Sequence, residues 1–227
     1  MKKLIDYIKN NRYCLWLLYW PFHGLLYEAI RIITADSQVL LIESPLDAKI
    51  PFCEWFIIPY VSWYLCIAGL TIFSIFRGRR EFYRVNGLII GCMVLPMIFC
   101  TLVPNGIDIA LRPNFETLGR ENIATFFVKL IYAADSPPRN VMPSMHVSVS
   151  FAMFFAVIKS KFFKKNYIFK AFSGIWAVMI SLSTVFIKQH SVLDVFAGIG
   201  TAVLVFIIVI VAEAIYDRRR KNDQRVY

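Results

Sequence analysis

The chain has 227 residues, 58% of them apolar, and a formal net charge of +10. Its mean hydropathy of +0.59 is far above that of a soluble domain, and several apolar runs approach the roughly 20 residues needed to span a bilayer. That excludes an ordinary soluble enzyme and predicts one integral-membrane domain over residues 1–227. A basic chain could bind nucleic acid, but here Lys and Arg flank the apolar runs, so the bilayer is the expected partner and nucleic acid is not.

Taken in chain order, the apolar runs predict an all-α polytopic bundle with spans at about 14–33, 55–76, 87–104, 144–159, 169–187 and 191–215. The first is the least regular, because Pro21, His23, Glu28 and Arg31 interrupt it. Lys2 and Lys3 precede it with no small-residue cleavage site, so it reads as an uncleaved span. Glu28 and Arg31 are spaced to pair, and His23 reads as structural. Two prolines argue against a continuous helix in 34–54. Of the five cysteines, Cys14, Cys66, Cys92 and Cys100 fall in apolar runs and Cys53 lies near the outer face. Without a CxxC pair, neither a disulfide framework nor a metal site is expected.

The longest polar connection, 105–143, contains Ile123, Phe126, Phe127, Leu130 and Ile131 at helical spacing. They predict an amphipathic helix on the outer membrane surface, or the same helix docked on the bundle. The stretch "AADSPPRNVMP" ends that helix, and Ser144 is placed to cap the next. Gly198 and Gly200 form a GxG with no strand before it, which argues for close helix packing rather than a dinucleotide site.

Charge placement orients the chain. Lys2, Lys3, Lys9 and Arg12 precede the first span. Arg77, Arg79, Arg80 and Arg84 separate the second and third. Lys159, Lys161, Lys164, Lys165 and Lys170 separate the fourth and fifth, and Arg218, Arg219, Arg220, Lys221 and Arg225 follow the sixth. These are 18 of the 25 Lys and Arg residues. The positive-inside rule makes their side cytoplasmic, with both termini there. The expected location is the cell membrane.

Two of the three histidines, His146 and His190, fall at outer ends of spans on the same side. His190 and Asp194 share a helix face at i,i+4. The carboxylate can hold Nδ1–H and leave Nε2 as a nucleophile or base. Ser191-x-x-Asp194 also resembles a capping box, which gives Asp194 a purely structural alternative. Helix N-termini near 144 and 190 attract anions, phosphate above all, so two adjacent ones form a candidate anion pocket lined by the amides near Met145 and His146.

These residues resemble a known pattern. "PSMH" at 143–146 is similar to the PSGH motif of the type-2 phosphatidic acid phosphatase superfamily. Ser183-Thr184, His190 and Asp194 resemble its SR-x5-H-x3-D motif, and Arg112-Pro113 the end of its K-x6-RP motif. The resemblance implies that His190 attacks phosphorus to form a phosphohistidine, Asp194 orients it and His146 protonates the leaving oxygen. It implies that Arg112, Ser144, Met145 and Ser183 hold the phosphoryl oxygens. No metal or cofactor is implied, and the implied partner is a lipid phosphate.

The chain departs from that pattern in three places. Met145 stands for the family glycine, Asn105 for the lysine and Thr184 for the second arginine. Lys188 and Arg139 are the candidates to replace the lost cations. A site with fewer cations suits a phosphodiester, which carries one negative charge, better than a phosphomonoester, which carries about two. "KQH" at 188–190 and Leu46-Asp47-Ala48-Lys49-Ile50-Pro51-Phe52 resemble the branch containing inositol phosphorylceramide synthases, whose members move a headgroup between lipids. Hydrolysis and transfer both remain open, since one site serves both. The other class is a non-enzymatic transporter subunit or scaffold with a decayed site. A haloperoxidase, the related soluble class, needs a richer cationic cage than this.

Overall fold

A computed structural model of the chain describes residues 11–223; Lys2, Lys3, Lys9 and Arg225 lie outside the described residues. The described chain is mostly helical. A 3-10 stretch, Arg12–Leu18, leads into α1 (Tyr19–Ile33). Strand β1 (Leu40–Leu41), the short α2 (Pro45–Lys49), α3 (Ile57–Ile75) and α4 (Arg79–Leu102) follow. Then come β2 (Asn105–Gly106), α5 (Phe115–Leu118), α6 (Ile123–Ala134), α7 (Met145–Lys159), α8 (Tyr167–Phe186) and α9 (Val192–Asp223).

Among the described residues, four helices are long and apolar enough to cross a membrane: Glu54–Ile75, Arg79–Leu102, Tyr167–Phe186 and Val192–Asn222. They coincide with the predicted second, third, fifth and sixth spans. The other two predicted spans differ in form. Residues 14–33 divide into the 3-10 stretch and α1, with the break just before Pro21. There proline sits in the first helical turn, where its missing N–H costs nothing. Helix α7 matches 144–159, but its 15 residues rise only about 22 Å. It is walled by α4, α8 and α9, so it meets protein rather than solvent along most of its length.

The core follows the logic of a bilayer protein. Val149, Ala152 and Ala156 of α7 pack against Leu88, Ile89 and Cys92 of α4, Ile180 of α8 and Ala202 and Val205 of α9. Large aliphatics such as Leu65, Ile175, Leu204 and Ile208 face outward. Lipid is as apolar as leucine, so helices gain by close approach of small residues rather than by hiding large ones.

The two ends of the bundle are chemically distinct. At one end Arg84 makes a two-point contact with Glu213 of α9 (2.8 and 3.1 Å), and also meets Glu81 and the carbonyl of Lys159. Arg80 pairs with Asp217, and the Tyr13 hydroxyl donates to Ile75 O. The basic segments around residues 12, 80 and 160 and the end of α9 therefore lie together. Glu28 and Arg31 pair at 2.6 Å, as their spacing suggests.

At the other end the polar segments are knotted together. The fold expected to be all-α contains one parallel β pair here, Leu40 with Asn105 and Leu41 with Gly106. The pair arises because the backbone of 40–42 has no helix to satisfy it and finds residues 104–106 instead. The 123–131 pattern is realised as α6. Its Ala124 and Val128 pack with Ile57, Tyr60 and Ile187, while Ile123, Phe126, Phe127 and Leu130 are exposed.

The start of α7 and the start of α9 touch. At Gly198 an added Cβ would lie 2.8 Å from Val147 Cβ and 2.9 Å from Ser144 O, whereas at Gly200 it would meet nothing within 4 Å. Of the GxG pair, only Gly198 is a packing glycine. Gly198→Val should cost about 1–3 kcal/mol by overpacking, read as a lower melting midpoint in detergent, with Gly200→Ala close to neutral. Equal midpoints for the two variants would show that this crossing does not hold the helices together.

Candidate active site

Histidine 190 is placed by the turn between α8 and α9. The α8 end closes with the amides of Gln189 and His190 donating to Thr184 O and Lys188 at φ 53°. A non-glycine residue in that region costs roughly 1–2 kcal/mol, and the Lys188 side chain offsets this by donating to Asp47 O and Ile50 O (2.6 and 2.5 Å). Burial lowers the Lys188 ammonium pKa, with the Asp47 carboxylate pulling the other way.

Two buried carboxylates meet at the first turn of α9. Asp194 Oδ2 accepts from the Ser191 amide (2.9 Å) and meets His190 Nδ1 (3.2 Å). The contacts that the capping and the orienting readings of Asp194 each call for thus meet in one oxygen. Asp47, from the distant "LDAKIPF" stretch, accepts from the Ser191 hydroxyl (2.6 Å) and the Val192 amide (2.9 Å). With Nδ1 engaged, Nε2 is the free nitrogen of His190, whose ring lines a cavity of about 720 Å³.

Histidine 146 enters from the first turn of α7. Ser144 caps that helix, its hydroxyl accepting from the Val147 amide (3.4 Å), and its own amide donates to Asp194 O. The His146 ring stacks on Tyr60 (centroids 4.2 Å apart) and lies over Trp63 (4.3 Å), 6.3 Å from the His190 ring. Its Nε2 is buried without a partner. Met145 and His146 line the same cavity, and their amides, first in the helix, have no intrahelical acceptor. Met145 has ordinary helical backbone, since the positive-φ non-glycine residues among those described are Asn140 and Lys188. A glycine is therefore not required at 145.

The remaining candidates divide. Arg112 reaches the site indirectly. It donates to the Asp135 backbone carbonyl and carboxylate (2.9 and 3.0 Å) and to Gln189 Oε1 (3.0 Å), and lies over the Tyr132 ring. Asp135 and Gln189 both line the cavity. Burial raises the Asp135 pKa, while Arg112 and His190 lower it. Arg139 lines the cavity and donates to Thr34 O (2.7 Å). Lys188 and Ser183 are not among the lining residues; Ser183 donates to Ile180 O within its own helix.

The three departures from the family pattern are occupied structurally. Asn105 is fully buried and accepts from the amides of Val141 and Met142 while donating to Met142 O and Val103 O. It fixes the approach to Ser144 where a lysine would carry charge. Thr184 bonds Ser181 O. Sequence reasoning missed Gln189, whose Nε2 is buried, unpartnered and at the cavity. Its place beside His190 was the available signal. Nothing in the local pattern of α3 marks Tyr60 and Trp63 as the bed of His146.

No curated protein and no solved structure matches the chain. The sequence model of the PAP2 superfamily matches residues 86–216, more than half of the 227. That stretch runs from α4 into α9 and contains both histidines, Asp194, Arg112, Ser144 and Ser183. The chain belongs to the PAP2 superfamily.

Proposed function

We propose that the protein is a membrane lipid phosphoesterase or phosphotransferase working through a phosphohistidine. Family membership supports the phosphatase-type chemistry. The observation that carries the lipid reading is the pair of imidazoles, 6.3 Å apart, at the head of a cavity whose walls are largely apolar side chains.

In the first step His190 Nε2 attacks phosphorus. An N–P bond forms, the ester P–O bond breaks, and the departing oxygen takes a proton from His146. In the second step water or a lipid alcohol gives its proton to His146 and its oxygen to phosphorus, and the N–P bond breaks. Water gives hydrolysis; a lipid alcohol gives headgroup transfer. Asp194 holds Nδ1 throughout.

The phosphoryl oxygens are met by the Met145 and His146 amides, by Gln189 Nε2 and by the field of Arg112. Arg112 is already balanced by Asp135. Lost family cations, a balanced arginine and a neutral amide donor together favour a singly charged phosphodiester. Counting α1 and α7 as spans gives six crossings with both termini on the basic, cytoplasmic side. The histidines then face the extracytoplasmic leaflet, and the exposed stripe of α6 lies in its interface.

The decisive experiment incubates the purified protein with headgroup-labelled phospholipids, with and without diacylglycerol or ceramide as acceptor. Free labelled headgroup means hydrolysis; label on the acceptor means transfer; neither product from any diester overturns the diester assignment. His190→Ala should abolish turnover and the acid-labile phosphoenzyme while leaving expression intact, and residual activity above about 1% would move the nucleophile elsewhere. His146→Ala should lower turnover of natural lipids by about 10²–10⁴-fold, but spare esters with activated leaving groups, which need no proton. Equal losses on both would remove the general-acid role.

A further inference from the structure

Below the histidine pair the cavity continues down the gap between α1 and α3. Both helices pack on α4, and Met93 of α4 floors the gap. Tyr27 and Tyr60 flank its top; Leu17 and Ile75 lie at its bottom. The bottom is closed, because the Tyr13 hydroxyl donates to Ile75 O at 3.0 Å and its ring packs on Phe82. The side is open: Gly24, Tyr64, Ala68 and Ile72 line the gap and are exposed. The one imidazole on its wall, His23, already has Nδ1 against the Tyr19 hydroxyl at 2.8 Å.

The gap is deep. Tyr60 and Ile75 are fifteen residue steps apart on α3, about 22 Å at 1.5 Å per residue. Half of a hydrocarbon layer is about 15 Å. Both walls lie outside residues 86–216, the part matched by the family model.

We propose that the gap seats one hydrocarbon chain of the lipid phosphate, entered sideways from the bilayer and reaching deeper than one leaflet, and that residue 24 sets the chain length accepted. The identity of the head rests on the phosphoester function above. An apolar chain gains little on leaving lipid for an apolar slot, so length and shape decide. A chain stopped early by the wall holds phosphorus away from His190, and a misplacement of about 1 Å can cost about 10²-fold in rate.

Gly24 offers a clean test, since a Cβ there meets nothing within 4 Å and a larger side chain can grow into the gap without moving the protein. Wild type, Gly24→Ala and Gly24→Leu are compared in nanodiscs. Binding is measured with non-hydrolysable phosphonate lipids of graded chain length, and turnover with the matching esters. Gly24→Leu should shift the length profile to shorter chains, lowering affinity and kcat/KM for the longest about ten- to a hundredfold relative to the shortest, with Gly24→Ala in between. Ala68→Leu, on the facing wall, should act alike and covers the case in which Gly24→Leu does not fold. Identical length profiles in wild type and the folded leucine variants overturn the proposal. Length-graded phosphonate binding without turnover of any ester leaves the chain seat standing and removes the phosphoester function. Turnover without length dependence does the reverse.

Discussion

Two carboxylates, Asp194 and Asp47, are buried at the first turn of α9, and the site depends on how they are satisfied. A carboxylate out of water is several kcal/mol unfavourable unless donors meet it. The donors here are the Ser191 amide and hydroxyl, the Val192 amide, the Ser44 amide and His190 Nδ1, which meet both oxygens of Asp47 and Oδ2 of Asp194 but leave Asp194 Oδ1 without a partner among the described residues. Meeting them fixes the backbone of 188–194 and with it the direction of the His190 ring. The helix N-terminus supplies favourable field for both acids, so the turn that seats the two acids also sets the direction of the imidazole.

That arrangement was half legible in the sequence. The i,i+4 spacing of His190 and Asp194 is a local signal, and local signals survive folding. So did the run lengths of the four long helices and the capping role of Ser144. Asp47 could be quoted as part of a motif, but its partner lies more than a hundred residues on, and no period links the two segments. The same distance hid Tyr60 and Trp63 beneath His146 and Asp135 against Arg112. Lys188 looked like a phosphate ligand because it is a cation beside a histidine. Its ammonium is instead spent on two carbonyls that compensate a left-handed backbone, and dihedral angles are not written in composition. Hydropathy runs through the first predicted span as one segment because it does not register the change from 3-10 to α geometry between Leu18 and Tyr19.

Charge economy runs through the whole histidine-bearing end. Where its superfamily pattern carries lysine, this chain has an asparagine that spends its amide on three backbone groups of the 141–142 turn and one of Val103. Where the pattern carries arginine, a threonine bonds inside its own helix. The one retained arginine leans on an aspartate. Each exchange replaces long-range field with short-range geometry, and hydrogen bonds reward fit over net charge. A pocket of that kind discriminates by shape and by the placement of donors, in keeping with the proposed preference for a singly charged diester.

The bed of His146 has a mechanical consequence. Tyr60 lies nearly parallel to the ring, at 19°, and Trp63 inclines by 31° on it, both within van der Waals range. An imidazole held flat by two large aromatic planes cannot turn over unless both withdraw. Each ring nitrogen therefore keeps a constant bearing on the cavity, and the ring behaves less like a swinging arm than like a fixed nozzle.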